Sequence, residues 1–256
     1  KYKQKYKGAD DIPVSAHPSI RSVPACYASS ELAVRLAKIA GARLHILHVS
    51  TAKELQLFSD EPLASKNITA EACVAHLLFT LTHYNSLGTR IKCNPAVKRK
   101  TDREALRAAV NSGLIDVIAT DHAPHLLNEK EGGALKAMSG MPMIQFSLVS
   151  MLELVDEGVF SLETVVQKMC HAPARIYGIC HRGYIREGYQ ADLVLVRPNS
   201  PWEVSADKIL SKCGWSPLEG HTFNWKVEKT FANGHLLYDN GTIDENYRGQ
   251  ELFFKR

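Results

Sequence analysis

Several things are missing from this 256-residue chain, and each absence removes a class of protein. No apolar run approaches the roughly 18 residues that a membrane-spanning helix needs, so no membrane partner is expected. Lys1 to Lys7 are basic, but the apolar segment of a signal peptide does not follow them. Basic residues are not gathered on one element. The formal charge is +4, and the densest basic run past the N-terminus is Lys98-Arg99-Lys100. A nucleic-acid reader concentrates Lys and Arg, so no nucleic-acid partner is expected. The cysteines, Cys26, Cys73, Cys93, Cys170, Cys180 and Cys213, form no C-x-x-C pair. Their scatter argues against a zinc ribbon or a disulfide framework, and reduced thiols in a cytoplasmic protein are the simplest reading. Repeats and low-complexity segments are absent too. What is left, 45% apolar and 23% charged residues, describes a soluble globular chain of one large domain or one domain with a small appendage.

The periodicity places helices and strands in alternation. Leu32, Ala33, Leu36, Ala37 and Ala40 recur at helical spacing, Ser29 or Ser30 can cap them, and Gly41 ends the helix. Residues 43–49 read as a buried strand and 68–73 as a second. A helix over 75–82 follows. Another is predicted over 101–112, with Thr101 at its cap, Glu104 three residues on, Leu106, Ala109 and Val110 on its inner face, and Gly113 at its end. Residues 116–120 form an apolar strand that stops at Asp121, and helices are predicted over 146–157 and 162–177. Strands alternating with helices imply a parallel α/β layer, either a barrel or a doubly wound sheet. About three strands precede Gly178, too few to close an eight-stranded barrel. Beyond Gly178 the pattern turns β-rich, with strands expected over 185–196, 227–232 and 235–238 and a turn at Asp239-Asn240-Gly241. The boundaries are therefore drawn at 1–177 and 178–256.

Three places can carry chemistry. Asp121 sits where a buried strand ends, followed by His122 and His125, and strand C-termini build the active sites of α/β barrels. The group is a metal-site or acid–base candidate, or else Asp121 caps the next turn and the histidines are loop residues. His48 ends the strand 43–49. It is either a zinc ligand or a structural histidine. His45, three residues earlier on an alternating strand, faces the other way and is read as structural. Asn94-Pro95 offers an amide suited to a cyclic amide substrate, or is a plain turn.

Taken together, His48-Val-Ser-Thr51, Ile68-Thr-Ala-Glu71, Lys92-Cys-Asn-Pro95, Ile118 to His125, Gly183 to Gly188 with Ala191 to Val194, and Lys212 to Gly220 resemble the dihydroorotases within the amidohydrolase superfamily, in order and spacing along nearly the whole chain. The resemblance implies a partial TIM (β/α)8 barrel of the metal-dependent hydrolase type with a small C-terminal β-rich unit. It implies that His48 and Asp121 are metal ligands, that Asp121 is also the catalytic general base and acid, and that Asn94, His125, Pro142 and Met143 contact substrate. The sequence around Pro142 and Met143 (SGMPMIQ) departs from the family's commoner A-P-F-G. Two zinc ions per active site, a small-molecule substrate, a homodimer and a place in pyrimidine biosynthesis are implied with them.

The departures carry equal weight. The family's H-x-H motif, the arginine after it, the bridging carboxylated lysine or aspartate and the fifth-strand ligand do not occur here. His17-Pro-Ser-Ile-Arg21 matches a loop downstream of that ligand, so His17 is not a substitute. The expectation is that these residues begin just after the fifth barrel strand. Sibling cyclic amidohydrolases (dihydropyrimidinase, hydantoinase, allantoinase) and an inert dihydroorotase-like partner protein are the competing readings.

Overall fold

The computed structural model describes residues 2–255. By its internal contacts the chain forms two units: Lys1–Ser147 with Ser205–Glu219, and Leu148–Val204 with Gly220–Arg256. Gly178, where the sequence changes character, lies within the second unit. Among the described residues no helix is long and apolar enough to cross a membrane.

The first unit is an α/β layer of the partial-barrel kind. Its strands β1 (Leu44–Ile46), β2 (Ile68–Cys73) and β3 (Val117–Ala119) are parallel in that order. His45 lies opposite Thr69, and Cys73 opposite Ala119. The central strand β2 is mainly apolar, with Thr69 and Glu71 in it, and almost wholly buried, as a parallel strand covered on both faces must be. Beneath β3, Asp116 fixes the sheet's lower end. Its carboxylate accepts the Ala70 N–H at 3.0 Å and the Lys66 ammonium at 2.8 Å.

Two helices show how local pattern and packing diverge. The first runs over Val23–Ala40, not from Ser29, because Pro24 fits a first helical turn where its missing N–H costs nothing. Gly41 closes it at φ 61°. Its buried residues are Ser30, Val34 and Ala37, whereas Leu32 and Leu36 are exposed and Ile39 is 74% exposed. The inward face does not follow the leucines, because Ser30 Oγ donates to the buried Glu54 carboxylate at 2.7 Å. The same carboxylate accepts Thr51 Oγ1 at 2.8 Å and Ser50 N–H at 3.3 Å, fixing the segment after His48.

The second helix is Lys100–Ser112. Leu106, Ala109 and Val110 are buried as expected, and Gly113 ends it at φ 89°. Its start is held by Asp102, not by Thr101 and Glu104. Asp102 accepts the Arg99 N–H at 3.3 Å and the Ala52 N–H at 3.0 Å, while Glu104 turns to solvent and pairs with Arg103 at 2.7 Å.

The second unit holds the helix segments after Ser147 and two antiparallel sheets. The helix expected over 162–177 is continuous only in outline. Leu162–Val166 and Ala172–Ile176 are separated by a π-helical turn, Gln167–His171. Pro173 supplies no N–H to the preceding turn, and the wider turn accommodates that. The strands are β4 (Leu193–Arg197), β5 (Trp202–Glu203), β6 (Thr222–Phe223), β7 (Lys226–Ala232), β8 (His235–Asp239) and β9 (Thr242–Ile243). One sheet has the order β4-β7-β8-β9, and β5 pairs with β6. The strand expected from Ile185 begins only at Leu193, since Gly188 turns the chain at φ 77° and Ile185 is 88% exposed. The hairpin between β8 and β9 turns on Asn240 and Gly241, both at positive φ, the conformation that an Asn-Gly turn supplies.

Candidate active site

β1 and β3 end alike. His48 lies two residues beyond Ile46, and Asp121 two beyond Ala119. Both are left-handed, at φ 42° and 45°, and among the described residues of the first unit they are the non-glycine residues with positive φ. Such backbone costs roughly 1–3 kcal/mol in a residue with a Cβ and persists where the surroundings impose it. Part of the imposition is visible. Glu71, between them on β2, accepts the His48 main-chain N–H at 3.2 Å.

The pair is also electrostatically joined. Loss of hydration raises the Asp121 carboxyl above its ordinary range although the residue opens to solvent at the strand mouth. The nearby His48 imidazole pulls it down, and the Glu71 carboxylate pushes it up. Cys73 and Cys93 lie within reach of the same carboxylate. Burial first, and Asp121 among other charges, hold both thiols well up, Cys93 at about 12. Neither is therefore a thiolate nucleophile at neutral pH.

His45, read as facing away from the pair, is tied to the same Glu71 carboxylate that accepts the His48 main-chain N–H. Its Nδ1 lies 2.8 Å from Thr69 Oγ1 and its Nε2 3.3 Å from Glu71 Oε2. Strand alternation does not extend to His48, because β1 ends before it.

Asn94 is exposed on a segment braced from both sides. His17 Nε2 donates to Cys93 O at 2.9 Å, and His76 Nε2 to Pro95 O at 2.9 Å. The Asn94–Pro95 peptide is cis. His17 is thus a buried prop under the Asn94 segment. Burial lowers its affinity for a proton, and holds that of His76 down at about 4, so both stay neutral donors. Sequence reasoning missed His76 and Glu71. A carboxylate inside the otherwise apolar run Ile68–Cys73 was the available signal for Glu71.

His125, Pro142 and Met143 fall in one loop cluster. His122 forms a bridge to Met141, and Ala123 N–H donates to Met141 O at 3.2 Å. His125 Nε2 lies 3.3 Å from Ser139 O, and Trp215 Nε1–H donates to His125 O at 2.7 Å. Pro142 and Met143 are buried, Met143 with none of its surface exposed. Gly140 N–H donates to Lys92 O at 2.8 Å, which ties this cluster to the Asn94 segment.

As a metal site the arrangement is incomplete. Among the described residues no group of three His, Cys, Asp or Glu side chains is placed to hold a metal ion. His48 and Asp121 are two suitable donors, and the Glu71 carboxylate is committed to the His48 N–H and the His45 ring. The pair can contribute to a metal centre but does not make one alone.

Comparison with known proteins gives the family. Residues 10–237 match the amidohydrolase family. The chain belongs to that family. Among curated relatives, this amidohydrolase is 35% identical over 228 residues to a dihydroorotase of Halobacterium salinarum, covering 89% of this chain and 53% of that protein. It is 31% identical over 232 residues to an allantoinase of Bacillus velezensis, covering 90% and 51%. The fold is shared with the L-hydantoinase of Arthrobacter aurescens, with a TM-score of 0.87 and 27% identity over 94% of this chain and 55% of that one. The amidohydrolase chain therefore spans about half the length of the curated relatives it matches.

Proposed function

We propose that this amidohydrolase chain forms the C-terminal part of a cyclic-amide hydrolase, and that its substrate is dihydroorotate, opened reversibly to N-carbamoyl-aspartate. The observation that carries the reading is the pair His48 and Asp121, held in left-handed backbone at equivalent ends of β1 and β3 and electrostatically coupled. Asp121 accepts a proton from the attacking water and returns it to the leaving ring nitrogen. A carboxylate held above its ordinary pKa is suited to both steps. His48 presents its imidazole from the end of β1, and Glu71 fixes its backbone. Asn94 and His125 hold the ring amide and ring carboxylate by hydrogen bonds, with the Pro142–Met143 segment beside them. His48 and Asp121 would also be donors to zinc, completed by groups other than these two. Bound metal would supply Lewis-acid polarisation of the scissile carbonyl and a lowered pKa of water.

The allantoinase and hydantoinase likenesses favour a second reading, the same chemistry on a different five- or six-membered ring. Ring opening of dihydroorotate, hydantoin and allantoin by the complete protein separates them. Turnover of dihydroorotate well above the others is expected. Preference for hydantoin or allantoin would transfer the assignment, and no turnover of any of them would end it.

A further inference from the structure

The loop cluster contains a charge that the proposed chemistry does not use. Lys130 is 2% exposed. Its ammonium donates to three main-chain carbonyls: Lys92 O at 3.1 Å, Met138 O at 2.7 Å and Gly140 O at 2.6 Å. That satisfies all three of its donors. The ring of Trp215 lies over it, 5.9 Å from the nitrogen. Among the described residues, the charged or ionisable groups facing it are Lys92 and the Cys93 thiol, not a carboxylate. A buried cation without an anionic partner is expensive, so its position is imposed by the carbonyls. Those carbonyls belong to two segments. Lys92 is two residues from Asn94, and Gly140 is two from Pro142. Lys92 acts in the same direction, its own buried ammonium donating to Ala137 O.

We propose that Lys130 is a positioning residue whose ammonium fixes the segment bearing Asn94 against the segment bearing Pro142 and Met143, and so sets the spacing of the substrate contacts. The clamp itself is a property of the fold. Its consequence for turnover rests on the reading that these residues meet substrate.

The test uses Lys130→Met in the complete protein, which removes the ammonium and keeps most of the side-chain volume. Lys130→Gln, which retains an amide donor, serves if the first variant fails to fold. Hydrogen exchange reads the clamp without substrate. The amides of Gly140 and Ala123 should exchange at least about tenfold faster in the variant, with those of β2 unchanged. Unchanged exchange at Gly140 and Ala123, or equal acceleration in β2, overturns the clamp. Kinetics read the positioning role. KM for the cyclic amide that the complete protein opens should rise at least about tenfold, with kcat within about threefold. Faster local exchange with KM unaltered overturns positioning and leaves a purely structural clamp. If the complete protein opens no cyclic amide, the functional reading fails while the exchange result still decides the clamp.

Discussion

At the scale of single residues, His48 and Asp121 carry left-handed backbone that costs stability. Glycine adopts the left-handed conformation without a Cβ penalty, so His48→Gly in the complete protein should leave stability unchanged or raise it by about 1 kcal/mol while activity is lost. Denaturant unfolding beside an activity assay checks this, and a large fall in stability would show that the imidazole itself holds the fold. Asp121→Asn keeps shape and hydrogen-bonding capacity but cannot carry the proton. It should lower kcat by about 10²–10⁴-fold with the folded spectrum intact. Near-normal kcat would remove Asp121 from the proton path. Asp121 and His48 were both legible in the sequence because each ends an apolar run. Glu71 was not, because nothing local says that a strand carboxylate will receive the main chain of a residue 23 positions away.

At the scale of elements, the strands proved more legible than the helix faces. β2 matches its expected bounds because a mainly apolar run is buried on both sides of a parallel layer. The helix Val23–Ala40 turned otherwise than its leucines suggest, because Glu54, distant in sequence, claims Ser30. The helix Lys100–Ser112 offers the cleaner test of such tertiary control. Asp102 ties its first turn both to Arg99 and to Ala52, just past the His48–Thr51 segment. Asp102→Ala should cost about 1–2 kcal/mol by losing the cap and orphaning the Ala52 N–H. Glu104→Ala, at the residue that sequence spacing favoured, should cost under about 0.5 kcal/mol. Chemical denaturation of the two variants distinguishes them, and equal losses would restore the sequence-based cap.

For the molecule as a whole, buried histidines make stability depend on acid. His76 accepts a proton only near pH 4 when folded, but near 6.5 when unfolded. Above 6.5 both states are neutral and the full stability is present. As pH falls from about 6.5 to 4 the unfolded chain gains a proton that the folded chain refuses, so stability declines by about 3 kcal/mol from this residue. His17, also lowered by burial, acts in the same direction. Unfolding midpoints measured across that range should fall in the native protein and fall less in His76→Gln, whose amide can still donate to Pro95 O. Parallel declines in the two would assign the acid sensitivity elsewhere.

The sequence by itself determined the parallel α/β layer, the residues that end its strands and the family to which they point. These are local matters, since strand, turn and motif are written in contiguous residues and their periodicity. Tertiary structure alone decided which side chains surround the pair, which face of the first helix is inward, that His17 and His76 brace Asn94, and that Lys130 joins two loops. Each of those depends on hydrogen bonds between residues tens of positions apart. A buried polar group must find a partner or pay the cost of its lost hydration, and which partner it finds is fixed only when the chain has folded.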